Sequence, residues 1–297
     1  MLLGETIEMG SQIREMLLEI GAICEENTEL FASRTRDREV PVYRDTKSGV
    51  IYIDNFYVGS EEYVTGSYRQ LDSDETLEDH SDARRRANDF QYLWSGRKVL
   101  DWGCGRGNFL RLVNSMGGAT SLYGVELQES FIDELNYDGI VCARDLRTLH
   151  EEFEICFMFH VLEHLPDPIT SLQEVRASLD PQSGLLVVEV PHANDFLLKH
   201  LDNRPFRDFT LWSQHLVLHT RESLKLLLTA SGFVAEIVFG VQRYGLSNHL
   251  QWLSQGKPGG HKSPLAAIED LDIKNAYASA LVRLDANDTL IAIARPV

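Results

Sequence analysis

The sequence predicts an α/β protein with a mainly parallel seven-stranded sheet and helices on both faces. An N-terminal helix and hairpin extension and a C-terminal helical insertion are added to it. From Arg97 onward, short apolar runs alternate with stretches of helical periodicity, the pattern of strands joined by crossover helices. A glycine-rich turn closes the first of these runs, where such sheets bring backbone close to a ligand.

Ahead of that region Ile13, Met16, Leu17, Ile20 and Ile23 recur at helical spacing, so a helix is expected from about residue 8 to 26. Residues 40–43 and 50–54 are β-rich and flank a polar turn containing Gly49, which predicts a hairpin. The stretch 72–82 is acidic and poor in apolar residues, and is expected to form an exposed or mobile connection. Strands are expected near 97–102, 121–126, 139–142, 153–159, 184–190, 233–241 and 288–294, and helices near 106–116, 128–136, 168–179, 220–231, 246–254 and 264–283. The resulting division is an N-terminal segment, 1–80, with helix, hairpin and lid, and a main domain, 81–297, carrying a substrate-binding insertion at 242–283.

Composition narrows the function. With 28 basic against 45 acidic residues the net charge is −17, so the mean field repels a long polyanion and no nucleic-acid partner is expected. Arg84-Arg85-Arg86, the densest basic run, lies between Asp82 and Asp89 in an expected helix and reads as a solvated face. No stretch approaches the roughly 20 apolar residues that span a bilayer, and the start has no basic, apolar leader, so a cytoplasmic location without membrane contact is expected. Cys24, Cys104, Cys142 and Cys156 are scattered, with no Cys/His spacing of the zinc type, so reduced thiols and no metal are expected.

The run from Lys98 through Asp101, Gly103, Gly105 and Gly107 to Asn108 reads as a buried strand, a tight turn and the start of a helix. A dinucleotide fingerprint requires glycine or alanine five residues past the first glycine, but Asn108 stands there and the third glycine falls at Gly107. Asp101 sits at the mouth of the loop, where a pyrophosphate is repelled and a cationic ligand attracted. Glu126 ends the next strand nineteen residues past Gly107, near the distance at which a carboxylate meets both hydroxyls of a ribose.

The D-x-G-x-G-x-G run from Asp101 to Gly107 resembles the first motif of class I S-adenosylmethionine (SAM)-dependent methyltransferases, which implies a Rossmann-like fold and SAM as cofactor. On that resemblance Asp101, Gly103, Gly105 and Gly107 line the cofactor, Glu126 with its neighbour Leu127 holds the ribose, and Asp145 lies near the adenine amino group. His160-Val161-Leu162-Glu163-His164-Leu165-Pro166-Asp167-Pro168 resembles the L-E-H-x-x-D-P segment of a branch acting on small molecules. Residues 185–192, 212–220 and 231–233 resemble later segments of the family, so the likeness runs over roughly 84–240.

Ligands of open α/β sheets bind at the carboxyl ends of the strands, which puts the segment after residue 159 beside the transferable methyl group. His164 is the candidate general base; the alternative is that Glu163 and His164 hold the loop while catalysis rests on alignment. His160 is expected to wall the cofactor. His192 and His215 emerge at the same edge as further catalytic candidates, each against the alternative of a hydrogen-bonded structural histidine. In the insertion Arg243, Asn248, His249 and His261, with Lys257 and Lys262, suggest capture of a phosphate or carboxylate, against the alternative of an ordinary surface excursion. Tyr63 and Tyr68 would close over the ligand.

The leader resembles that of methyltransferases of sugar and surface-polysaccharide modification. Relatives that methylate sugar carbon often carry a four-cysteine zinc module there; Cys24 is the one cysteine of this region, which argues against carbon methylation of that type. The expectation is methyl transfer to an oxygen of a small polar acceptor such as a sugar nucleotide or phosphorylated sugar, in polysaccharide or natural-product biosynthesis. Two alternatives stay open: a non-catalytic SAM-binding or assembly protein, and a nicotinamide-dependent oxidoreductase, which the glycine spacing disfavours.

Overall fold

The computed structural model describes residues 12–66 and 76–297. Helix α1 (Ile13–Glu19) buries Ile13 and Leu17, one turn apart. It ends before Gly21, whose φ of +72° takes the chain out of the helix, so it is shorter than the apolar periodicity suggested. Strand β1 (Thr28–Ala32) precedes the expected hairpin of β2 (Val42–Asp45) and β3 (Ile51–Ile53), in which Tyr43 faces Tyr52. The Asp45 carboxylate shapes the turn by accepting from the backbone N–H of Lys47 (2.9 Å) and Ser48 (2.7 Å).

Helices α2 (Ser60–Thr65), α3 (Thr76–Asp89) and α4 (Gln91–Trp94) follow. Residues 76–82 are therefore helical, although their acidity suggested a connection. Burial of Ala83 and Ala87 on one face of α3 outweighs the low apolar content of its first turns.

The main sheet is built from β4 (Lys98–Trp102), β5 (Ser121–Val125), β6 (Val141–Ala143), β7 (Ile155–Phe159) and β8 (Leu185–Pro191), with α5 (Asn108–Met116), α6 (Glu129–Tyr137) and α7 (Pro168–Ser178) as crossovers. Then come α8 (Phe196–Lys199), α9 (Arg204–Thr210), the two-residue β9 (Val217–Leu218), α10 (Arg221–Ala230), β10 (Phe233–Val241), α11 (Leu246–Gln255), α12 (Leu271–Arg283) and β11 (Thr289–Pro296). The seven strands run in the order β10-β11-β8-β7-β4-β5-β6, all parallel except β11, which is antiparallel to both neighbours. This is the expected Rossmann-like α/β fold.

Period-two alternation divides the core between the two faces. Cys156, Met158, Leu186, Val188, Leu290 and Ala292 pack with Leu172 and Val175 of α7 and Leu224 and Leu227 of α10. Ile155, Phe157, Leu185, Val187, Ile291 and Ile293 pack on the other face with Ala87 of α3, Phe109 and Val113 of α5 and Leu135 of α6. Local signals place the helix starts: Asp167 accepts from Thr170 N–H (3.1 Å) ahead of Pro168, and Thr220 and Ser223 form a capping box.

Strand β9 leaves the main sheet and pairs with β3, Tyr52 opposite Val217 and Ile51 opposite Leu218. The four-stranded sheet β1-β2-β3-β9 thus spans the expected boundary at residue 80 and holds the chain just after His215. Among the described residues no helix is long and apolar enough to cross a membrane.

Candidate functional site

Strand β4 lies between β7 and β5, with Asp101 level with Phe157 and Gly124. Beyond it, Gly103 and Cys104 both donate backbone N–H to Val125 O (2.8 and 3.0 Å), folding the loop against the end of β5. Gly103 has φ +79°, and a side-chain carbon there would sit 2.5 Å from Val161 Cγ2; Gly107 has φ +70° and lies against Leu135. Glycine is required at both positions by the left-handed backbone and by the neighbour that fills the space. Asp101 is almost fully buried, and that burial pushes its carboxyl up to about 7; nearby Arg86 draws it back, and Glu126 adds to the rise.

Glu126 ties this loop to the next crossover. One carboxylate oxygen accepts from Gly105 N–H (2.8 Å), the other from Leu127 N–H (2.8 Å) and Gln128 N–H (2.9 Å). Asp145, at the end of β6, is engaged by Arg147, whose side chain and backbone N–H hold its carboxyl down at about 2.

A charged network occupies the ends of β7 and β8. Glu189 of β8 is fully buried. Arg85 donates to both of its oxygens (2.8 and 2.9 Å), Arg86 donates through Nη2 (2.7 Å) and Nε (3.1 Å), and His160 Nε2 is 3.3 Å away. Burial opposes ionisation of Glu189, but Arg86, His160 and Arg85 overcome it and hold the carboxyl well below its usual range. Arg243 is paired with Asp82 and lies 3.1 Å from His160 Nε2. Burial and Arg243 alone would lower the His160 pKa, but Glu163 and Glu189 outweigh them and the net shift is upward. His160 itself has φ +54°, uncommon for a residue with a side chain, and its N–H donates to Glu189 O (2.8 Å).

Glu163 and His164 lie in the short 3₁₀ turn Leu162–His164. The Glu163 side chain is fully buried; Oε1 is 3.0 Å from His160 Nδ1, and Oε2 has no hydrogen-bond partner among the described residues. Burial opposes its charge, yet His160 first and then His164 and His215 bring its carboxyl to about 2. His164 Nδ1 donates to Gln214 O (2.9 Å), so its Nε2 carries the lone pair in the neutral ring. The His164 ring lies 5.1 Å from that of His215 and edge-on to Tyr63, whose hydroxyl is 3.5 Å from Nδ1. Burial lowers both imidazoles, His215 to about 3 with His164 contributing, so both are neutral at pH 7. The His215 segment is fixed from two sides. Leu216 N–H donates to Glu163 O (2.7 Å), and Ser213 donates from its N–H (3.0 Å) and hydroxyl (2.6 Å) to Asp37.

The family model described as a methyltransferase domain matches residues 76–236, more than half of the chain. The chain belongs to this methyltransferase-domain family. A tRNA U34 carboxymethyltransferase of Campylobacter hominis is 30% identical over 95 residues, 29% of this chain and 33% of that protein. A ubiquinone biosynthesis O-methyltransferase of Haemophilus ducreyi is 27% identical over 107 residues, 31% and 44% of the two chains. The chain thus spans between a third and a half of the length of these curated relatives. A SAM-dependent methyltransferase from Archaeoglobus fulgidus shares the fold at a TM-score of 0.51 and 17% identity, covering 77% of this chain and 98% of that one. The magnesium protoporphyrin IX methyltransferase of Synechocystis with bound SAH does so at 0.50 and 12% identity, covering 80% and 97%.

The expected site residues separate into groups. Tyr63 and His215 meet His164; Tyr68 lies outside the described residues. His192 is buried, with Nδ1 donating to Asn287 O (3.0 Å), and burial lowers it to about 4. Among the described residues its ring adjoins neither His164 nor His215. The insertion residues are used internally: Asn248 Oδ1 accepts from Gly259 and Gly260 N–H (3.1 and 3.3 Å), and His249 bonds Tyr277 Oη (2.6 Å) and stacks on Phe196. His261 neighbours Tyr244, and Arg243 alone of this set turns toward His160.

Sequence reasoning missed Glu189, Asp82, Arg85 and Arg86. Arg84 does face solvent, but Arg85 and Arg86 keep only 19% and 15% side-chain exposure, so the run is not a solvated face. The signal was the lone acid in Leu185-Leu186-Val187-Val188-Glu189-Val190, because a charge in an apolar strand demands a buried partner. Glu189→Ala strips that partner from two guanidiniums and is expected to cost about 3–5 kcal/mol in urea unfolding. An unchanged midpoint would show the network to be solvent-screened.

Proposed function

We propose that the protein is a SAM-dependent methyltransferase acting on an oxygen of a small, polyhydroxyl acceptor of the sugar type. The observation that carries this reading is the pairing of buried Asp101 at the glycine loop with the neutral His164–His215 pair after the neighbouring strand β7. The residues suit the cofactor. Asp101 is buried with no hydrogen bond contributing to its shift, a condition that a cation relieves. Glu126 has about one of roughly four acceptor directions left for a ribose hydroxyl. Asp145 would have to release Arg147 before meeting an adenine.

SAM supplies an electrophilic methyl group on a sulfonium that departs as a neutral thioether. The chain's part is to align the acceptor, exclude water and remove a proton. His164 Nε2, oriented through the bond from Nδ1 to Gln214 O, is placed to accept the hydroxyl proton, and Tyr63 covers that side as part of an N-terminal lid. Arg243 is compensated by Asp82 and Glu163 is anionic, so this part of the site favours a hydroxyl over a phosphate. The net charge of −17 favours a small acceptor over a nucleic acid.

Labelled SAM offered with sugar nucleotides, free sugars and, in parallel, unmodified tRNA is expected to label a small acceptor; label on tRNA alone would overturn the acceptor class. Calorimetry with SAH and NAD separates the cofactors, and heat with NAD alone would reject the reading. A carboxyl with pKa about 7 must lose its proton to face a cation, so the dissociation constant for SAM should fall as pH rises from 6 to 7 and level off above it. The slope below 7 approaches about tenfold per pH unit and should vanish in Asp101→Asn. His164→Ala is expected to lower turnover by about 10²–10⁴ at unchanged cofactor affinity, and an unchanged rate would assign it to holding the loop.

A further inference from the structure

We propose that Glu163, His164 and His215 form a binding site for one divalent transition-metal ion, which takes an oxygen of the acceptor as a further ligand. One donor atom from each of the three residues lies within 4.8 Å of the others. With metal bonds of about 2.0–2.2 Å the donors need an inward shift of no more than about 1 Å to close on an ion. Two polar atoms of these side chains are orphans: Glu163 Oε2, on a fully buried side chain, and His215 Nδ1 are buried without a hydrogen-bond partner among the described residues.

The surroundings are those of a ligand set. His164 donates Nδ1–H to a backbone carbonyl, which orients the ring and leaves Nε2 free to coordinate. The second oxygen of Glu163 is held by His160, and the Leu216 and Ser213 bonds fix the backbone on either side of His215. With the proton of His215 on Nε2, a single water would satisfy at most two of the three lone pairs, whereas a cation satisfies all three. Two imidazoles and one carboxylate favour zinc, iron, cobalt or manganese over magnesium or calcium, and three protein donors leave positions open for an acceptor oxygen. No metal-type spacing shows along the chain because the donors come from residues 163, 164 and 215, joined only by the fold.

Ion binding itself does not depend on the methyl-transfer reading; the acceptor's part does. With the ion bound, the His164 lone pair is committed to it. A coordinated acceptor hydroxyl would then lose its proton to a water at an open coordination position, the O–H pair staying on oxygen, and His164 would accept the proton itself only in the metal-free protein.

The test uses the full chain purified without a polyhistidine tag, stripped with chelator, and titrated with Zn²⁺, Mn²⁺, Co²⁺ and Mg²⁺ by calorimetry. The Co²⁺ visible spectrum is recorded as a report of nitrogen ligation. One equivalent of Zn²⁺, Mn²⁺ or Co²⁺ is expected to bind, with Mg²⁺ far weaker. His215→Ala and Glu163→Gln, checked for folding by circular dichroism, are expected to lose at least about 10²-fold in affinity along with the cobalt bands, while His200→Ala, outside the cluster, keeps both. Wild-type protein without transition-metal binding below millimolar concentration, or cluster variants that bind as well as wild type, would overturn the proposal. Retained binding in a protein that takes up no SAH would support the metal site and count against the methyl-transfer reading.

Discussion

A charge inside an apolar sheet is tolerated only where opposite charges reach it, and Glu189 imposes that requirement on one whole edge of the molecule. Its carboxylate draws Arg85 and Arg86 of α3 across the ends of β7 and β8 and sets His160 between two acids. Asp82, on the same helix, engages Arg243 beyond β10. Helix α3, the two central strands and the chain leading into the insertion are thereby fixed to one another at the site. The backbone bond from His160 to Glu189 and the left-handed turn at His160 belong to the same arrangement, and they direct the following turn so that Glu163 points inward.

What was legible in the sequence was local. The glycine loop, Glu126 and the segment after β7 are short runs in which residue type and spacing carry the chemistry, and each stands at the strand end where it was expected. Long periodic elements were also readable, down to β10 at Phe233–Val241. The two-residue β9 and four-residue α8 are too short to leave a periodic trace. Partnerships across the chain were not readable: Arg86 and Glu189 are 103 positions apart. Composition misled at the acidic start of α3 and at Arg85 and Arg86. The polar residues of α11 looked like groups gathered for recognition; in the fold Asn248 accepts from Gly259 and Gly260 and His249 bonds Tyr277, as buried polar groups must.

The site has two halves of different origin. The glycine loop, Asp101 and Glu126 come from contiguous strand-and-crossover units and are built by hydrogen bonds within about 25 residues of chain. The Glu163, His164 and His215 half needs the 212–216 segment, Asp37 and Tyr63, and so is assembled by long-range contacts. The first half follows from the general architecture of the family. The second also draws on the N-terminal additions, through Asp37 and Tyr63.

Strand β9 gives that difference a temporal meaning. It meets the hairpin through two residue pairs, whereas β10 and β11 are matched along eight. Short pairings open at lower free energy than the body of a sheet, so β9 and the hairpin can part locally while the main sheet stays closed. Such an opening removes the hairpin's support from the chain next to His215, whose direct tie to Glu163 is the Leu216 N–H bond, and leaves the glycine loop in place. Amide exchange in β9 would then run ahead of exchange in β4, and the lifetime of a complete site would be set by a joint that no ligand touches.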